Sequence, residues 1–231
     1  MQKLAIFGDS YARKDATDIR EKSWHDFMDA YDVTNFGESG SDLWFSYNLF
    51  LKNHSKFDKI IFLVTAPHRI RLANPSVIIY PNQNYTSASI KLESATDKEY
   101  DQYKTIVDYY NLIHDNDKEE HLHCLMIKNI QSLRNDALVY PCFNSNWSTD
   151  IGLYNITKFE DSYLGLTDEK RNDLYRKGLR DSRACHMTEH NNKIVANLFL
   201  ERLNGSTQQL ILNQLAVPEH NLNYYYQSSW H

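Results

Sequence analysis

Three short polar segments of the chain each follow an apolar run, and their residues suit nucleophilic chemistry. Gly8-Asp9-Ser10 ends the first run, Gly37-Glu38-Ser39-Gly40 follows the second, and Thr65-Ala66-Pro67-His68-Arg69 follows the third. A serine at a strand-to-helix turn exposes its hydroxyl and can gather backbone N–H groups around it. The sequence therefore predicts that Ser10 is a nucleophile. The alternative is an ordinary β-turn with an Asp-Ser helix cap.

The segments around Ser10 resemble the SGNH, or GDSL, hydrolase superfamily. Ile6-Phe7-Gly8-Asp9-Ser10 is similar to its first block, and Asn35-Phe36-Gly37-Glu38-Ser39-Gly40-Ser41 is similar to its second, with Gly40 at the oxyanion-hole glycine. His186 stands where the family has its catalytic histidine, shortly before the last helix. The resemblance implies that Ser10 attacks an acyl carbonyl while His186 takes its proton. It also implies that the N–H groups of Ser10 and Gly40 hold the oxyanion.

Two blocks of the family have a different form in this chain. The third block, Gly-x-Asn-Asp, is replaced by the segment that begins at Thr65, so the family's oxyanion-hole asparagine is missing. The last block, Asp-x-x-His, is also changed, because the residue three before His186 is Arg183. We expect the guanidinium of Arg69 to supply the missing oxyanion donor. We expect Asp181, or else a backbone carbonyl, to orient the histidine.

The resemblance also indicates the substrate class. It implies hydrolysis of an O-acyl ester, with an acetyl group on a carbohydrate or another small ester as the expected substrate. Asp9, Ser41 and His68 are expected to bind that substrate. The proline-rich stretch 66–95 is expected to shape the acceptor pocket. No metal or organic cofactor is expected.

Two other interpretations stay open. Cys185, His186 and His190 have the spacing of metal ligands, although no Glu follows His186 as it does in zincins. The changed third and last blocks also fit a catalytically weakened or inactive descendant of the fold with a binding or structural role. The geometry of Ser10 and His186 would distinguish an enzyme from such a descendant.

The periodicity of apolar residues predicts the elements that must position these groups. Strands are predicted at 3–7, 32–36, 59–64 and 137–140, with helices at 18–31, from 41 onward, in two segments over 96–134, and at 188–203. Alternation of strands and helices indicates an α/β fold with a mostly parallel sheet. We expect a three-layer α/β/α sandwich of the flavodoxin-like, SGNH-hydrolase type. It would span 1–204, with an insertion at about 66–95 containing a small strand at 77–80, and a tail at 205–231.

Composition limits the partners of the chain. The net charge of −5 over 231 residues argues against a nucleic-acid-binding surface, which needs clustered Lys and Arg. No apolar run approaches the roughly 20 residues of a membrane span, and the N-terminal run is too short for a signal peptide. We therefore expect a cytoplasmic protein whose 3 cysteines are reduced. Assembly into a homo-oligomer is left open.

Overall fold

The computed structural model describes residues 1–13, 23–38, 40–67, 70–71, 82–83, 92–93, 95–143, 147–150, 152–153 and 189–209. The strands are β1 Gln2–Phe7, β2 Tyr31–Asn35, β3 Lys59–Val64, β4 Ile70–Arg71, β5 Asn82–Gln83 and β6 Leu138–Pro141. The α-helices are α1 Leu43–Asn53, α2 Asp97–Leu112, α3 Asn116–Leu133 and α4 Glu189–Leu203, and short 3₁₀ helices occupy Trp24–Phe27 and His54–Lys56.

Four of these strands form a parallel sheet in the order β2-β1-β3-β6. β4 and β5 pair antiparallel in a separate two-stranded sheet. β3 is buried over five consecutive residues and β1 over its last four, which is typical of strands with helices on both faces. The predicted α/β class is therefore confirmed. The strand predicted at 77–80 lies outside the described residues.

The predicted helix over 18–31 is wrong at its C-terminal end, while residues 14–22 lie outside the described part. Trp24–Phe27 is a single 3₁₀ turn started by a capping box between Ser23 and Asp26, and Tyr31 already begins β2. Trp24, Met28 and Tyr31 have helical spacing, yet all three are buried by a turn followed by a strand. The spacing of these three residues therefore indicated that they are buried, but they do not belong to one continuous helix.

Helix α2 has part of the packing face that the helical spacing in its sequence predicts, which consists of Tyr100, Tyr103, Ile106, Val107 and Tyr110. Tyr103 and Ile106 form a buried cluster, against which Val107 and Tyr110 pack. Tyr100 was predicted to join this face, but its side chain is 47% exposed. Leu92 and Ala95, which precede the helix, pack against the cluster instead. Among the described helices, none has the length and apolar character that a membrane crossing needs.

Contacts divide the chain into two compact units. We call residues 5–13 and 35–139 the site unit, and residues 1–4, 14–34 and 140–231 the terminal unit. The site unit has a core of four phenylalanines, in which the Phe7 ring lies 4.9 Å from Phe36, 5.7 Å from Phe50 and 6.0 Å from Phe62. The single domain predicted over 1–204 stays a prediction.

The terminal unit is organised around Arg202 of α4. Its guanidinium donates to both carboxylate oxygens of Asp150, at 2.7 and 2.5 Å, and the two side chains are each only 12% exposed. Its Nε donates to the Gln208 carbonyl, and the guanidinium carbon lies 5.5 Å from the ring centroid of Tyr140. Burial raises the pKa of Tyr140 above its usual range. Bidentate pairing gives the contact between Arg202 and Asp150 a fixed geometry that a lysine would not reproduce.

In the site unit, Arg134 joins the end of α3 to the segment between α1 and β3. Its guanidinium donates to the carbonyls of His54, Phe57 and Asp58 at 2.7, 2.9 and 3.0 Å. It also donates to both carboxylate oxygens of Asp136, at 2.7 and 2.8 Å. One side chain thus satisfies several carbonyls that precede β3.

The pair of Arg134 and Asp136 predicts a pH-dependent contribution to stability. The hydrogen bond from Arg134 holds the pKa of Asp136 below its ordinary value of 3.8. Because the folded pKa is the lower one, the stabilisation is present above the unfolded pKa and is lost as the pH falls through the folded pKa. We expect the free energy of unfolding to fall more steeply between about pH 5 and pH 2 in the wild type than in Asp136→Asn.

Urea unfolding at a series of pH values measures this difference. The Asp136 side chain is 41% exposed, so we expect a small effect that high salt removes. Superimposable pH profiles for the two proteins at low salt would contradict the prediction.

Candidate active site

Ser10 lies in a tight turn directly after β1. The carbonyl of Asp9 accepts the N–H groups of Ala12 and Arg13, both at 3.0 Å, and the Asp9 carboxylate accepts the N–H of Tyr11 at 3.0 Å. These hydrogen bonds fix the backbone on either side of Ser10. The serine itself is partly exposed, whereas Asp9 is fully buried.

Gly8 brings this turn against β3. Its φ is +148°, and a Cβ added there would lie 2.8 Å from the Leu63 Cβ and 3.0 Å from the Leu63 carbonyl oxygen. A side chain at this position would therefore be strained by both its backbone conformation and its neighbours. The close approach requires glycine.

Gly40 lies in a second turn that is tied to the first. The N–H of Ser41 donates to the Glu38 carbonyl at 3.0 Å, and Gly40 between them has a φ of 73°, which favours glycine. The Gly8 carbonyl accepts the Glu38 N–H at 3.1 Å and the Ser41 hydroxyl at 3.2 Å. Residues on both sides of Gly40 are thus bonded to the residue two before Ser10.

Asn35 and Gly37 complete this connection, although no role was predicted for either residue from the sequence. The Asn35 side chain donates to the Ala12 carbonyl at 2.5 Å and accepts the Gly37 N–H at 2.7 Å. A Cβ on Gly37 would lie 2.5 Å from backbone atoms of Ala12 and Arg13. A signal for Asn35 was available in the sequence, because an Asn that ends β2 lies at the same sheet edge as the Ser10 turn.

Thr65 links the end of β3 to the Ser10 turn. Its hydroxyl donates to the second carboxylate oxygen of Asp9 at 2.8 Å, and its side chain is buried. Thr65 belongs to the third of the predicted site segments, but no function was predicted for it. The three strand ends β1, β2 and β3 therefore meet in one hydrogen-bonded network within the site unit.

Three groups of this network bear on its chemistry: the Ser10 hydroxyl, the Ser10 N–H and the Gly40 N–H. Among the described residues, no hydrogen-bond partner is found for the Ser10 hydroxyl, and none accepts the N–H of Ser10 or of Gly40. Ser10 and Gly40 are both partly exposed. A hydroxyl and two backbone N–H groups that no described residue binds, on connected turns, suit nucleophilic attack and oxyanion binding.

Helix α1, which follows the Gly40 turn, is capped by an acidic side chain. The Asp42 carboxylate accepts the Phe45 N–H at 2.8 Å. The sequence predicts Ser41 or Asp42 as the N-cap of this helix, and Asp42 is confirmed. Because the cap lies two residues after Gly40, it fixes where the Gly40 turn ends and the helix starts.

Apart from Ser10 and Gly40, the predicted site residues fall into two groups. Asp9 and Ser41 are fully buried with their side chains bonded to the protein, which favours a role in holding the turns, and their contact with substrate stays a prediction. The following residues lie outside the described ranges: His68, Arg69, Asp181 and His186. The pairing of Ser10 with His186 therefore stays a prediction.

The metal-site interpretation is tested only in part. Within the described residues, no group of three or more His, Cys, Asp or Glu side chains could hold a metal ion. Two of the three residues in the proposed cluster, Cys185 and His186, lie outside those residues, while His190 is exposed in the first turn of α4. The cluster stays a prediction.

Comparison with known proteins gives only weak structural matches. No protein-family model matches the chain, and no curated protein sequence matches it either. A solved structure of a G-D-S-L family protein described as lipolytic, from Desulfitobacterium hafniense DCB-2, is 12% identical, with a TM-score of 0.35, and the match covers 88% of this chain and 99% of that one. A catalytic variant of Axe2, an acetylxylan esterase from Geobacillus stearothermophilus, is 14% identical, with a TM-score of 0.35, over 89% of this chain and 95% of that one. Similarity at this level assigns no function.

Proposed function

We propose that this protein is a serine esterase of the SGNH type that removes an O-acyl group, preferably acetyl, from a carbohydrate or another small ester. The observation that supports the proposal concerns the hydrogen-bonding groups of the Ser10 turn. The hydroxyl and N–H of Ser10, together with the N–H of Gly40, have no hydrogen-bond partner among the described residues. The same turn is held by hydrogen bonds from Thr65, directly after β3, and from Ser41, in the loop after β2.

The proposed reaction begins when the Ser10 Oγ attacks the acyl carbonyl and His186 accepts the hydroxyl proton. The oxyanion of the tetrahedral intermediate accepts the N–H groups of Ser10 and Gly40, with Arg69 as a third donor. Collapse of the intermediate expels the alcohol, which takes the proton from His186, and leaves an acyl-enzyme. Water, deprotonated by His186, then releases the acid and restores Ser10. Asp181 orients the histidine in this scheme.

A second candidate is a non-catalytic protein of the same fold that binds a ligand at this edge of the sheet. One observation favours it: the residue directly after β3 is Thr65, whose hydroxyl is committed to Asp9 and does not face an oxyanion. The missing third-block asparagine would cost about 10²- to 10³-fold in rate if nothing replaced it. This candidate predicts a folded protein without acyl transfer.

Covalent labelling distinguishes the two candidates. The full chain is incubated with a fluorophosphonate probe, digested and mapped by mass spectrometry, with heat-denatured protein as the control. We expect the native protein alone to carry the label, on the peptide that contains Ser10, and an acetylated sugar to slow the labelling. Folded protein that carries no label on Ser10 would contradict the esterase proposal and support the second candidate.

A further inference from the structure

The carboxylate of Asp9 occupies an unusual place beside the candidate nucleophile. It is fully buried, and its two oxygens accept hydrogen bonds from different parts of the site unit. One oxygen accepts the Tyr11 N–H at 3.0 Å, and the other accepts the Thr65 hydroxyl at 2.8 Å. A buried carboxylate needs such donors, because desolvation of its charge is costly.

These two hydrogen bonds affect the backbone at Ser10, because both are made by Asp9, the residue directly before it. The bond to the Tyr11 N–H closes a small ring around Ser10, in the manner of an Asx-turn. The orientation of the Asp9 side chain therefore sets the direction of the peptide groups before and after Ser10. Those peptide groups include the Ser10 N–H, which the proposed function uses as an oxyanion donor.

Thr65 fixes the orientation of that side chain. Its hydroxyl reaches Asp9 across 56 positions of sequence, from the first residue after β3. Because Thr65 follows a strand buried over five residues, its backbone position is well defined. A hydrogen bond from a hydroxyl to a carboxylate is also stronger than one between two neutral groups. The Asp9 carboxylate is thus aligned by a rigid part of the sheet.

We propose that Thr65 is a positioning residue, whose hydroxyl aligns the Asp9 carboxylate so that Ser10 and its N–H are held in reacting geometry. This inference rests on the proposed esterase function. Thr65 touches neither the substrate nor the reacting atoms in this scheme. Thr65 acts through Asp9, and it begins the segment that replaces the third block of the SGNH family.

The test compares Thr65→Val, which keeps the shape and removes the donor, with Thr65→Ser, which keeps the donor. Thr105→Val is the matched control, since the Thr105 hydroxyl bonds within α2, to the Asp101 carbonyl. For p-nitrophenyl acetate, we expect Thr65→Val to lower kcat roughly 10- to 100-fold with little change in KM, as for a misaligned group. Thr65→Ser should stay within about 3-fold of the wild type, and Thr105→Val should match it.

Amide hydrogen exchange supplies a readout that does not depend on turnover. We expect the Tyr11 N–H to exchange about 10-fold faster in Thr65→Val than in the wild type or Thr65→Ser, because its acceptor becomes mobile. An active wild type with unchanged kcat in Thr65→Val, or equal losses in both Thr65 variants, overturns this inference alone. A wild type without hydrolysis or Ser10 labelling overturns the proposed function, and the positioning role with it.

Discussion

Replacing Ser10 with alanine is expected to lower kcat for p-nitrophenyl acetate about 10⁴-fold or more, with a much smaller change in KM. The variant keeps the backbone N–H groups at positions 10 and 40, which lie on turns tied together through the Gly8 carbonyl. It therefore keeps the proposed oxyanion donors and loses only the proposed attacking oxygen. The remaining activity should exceed the uncatalysed rate for the same reason.

The control for this experiment is Ser55→Ala, which changes an exposed serine in the 3₁₀ helix His54–Lys56. We expect the control to match the wild type in kcat, in KM and in fluorophosphonate labelling. Initial rates of p-nitrophenolate release, with circular dichroism to verify folding, give both comparisons. If folded Ser10→Ala keeps more than about a tenth of the wild-type kcat, Ser10 is not the nucleophile.

Replacing Gly37 with alanine is expected to lower the free energy of unfolding by about 3 kcal/mol, at the upper end of the usual cost of overpacking. Its Cβ would lie 2.5 Å from the backbone of Ala12 and Arg13, and backbone atoms cannot move aside as the tip of a flexible side chain can. The strain falls on the Ser10 turn. We therefore expect Ser10 labelling to be lost even in the fraction that stays folded.

Gly205→Ala separates this packing effect from the general cost of replacing a glycine. Gly205 has a φ of +94°, but a Cβ there would meet nothing within 4 Å. Its replacement should cost about 1–2 kcal/mol through backbone strain alone, with labelling unchanged. Urea unfolding monitored by circular dichroism measures both variants. A smaller loss of stability for Gly37→Ala than for Gly205→Ala would contradict the close contact with the Ser10 turn.

The sequence was informative where a single local rule decides the structure. The run Lys59–Val64 is apolar from its second residue onward and became β3 with its predicted bounds, because a buried parallel strand needs no polar face. Asp42 was one of two predicted caps, and its carboxylate does cap α1. The placement of Ser10 and Gly40 on turns that follow β1 and β2 was also predicted, because sites in open parallel sheets lie outside the carboxyl ends of the strands.

The sequence was uninformative where the structure depends on contacts between distant segments. Nothing local to Gly37 shows that its Cα lies against the backbone after Ser10, and nothing local to Thr65 shows that its hydroxyl reaches Asp9. Tyr31 illustrates the same limit, since its helical spacing from Trp24 is also met by a turn and a strand. Such contacts emerge only when strands that are far apart in sequence become neighbours.

The hydrogen bond between Asp9 and Thr65 also bears on the order of folding. It spans 56 residues, and the bond from Ser41 to the Gly8 carbonyl spans 33, so both are non-local contacts. Contacts of this kind require closure of a long loop before they form, and they slow folding relative to local ones. A nascent chain that exposes only β1 would hold Gly8-Asp9-Ser10 without these tethers. Hydrogen exchange of the Tyr11 N–H, whose acceptor is the Asp9 carboxylate, should therefore slow when β3 joins the sheet during refolding.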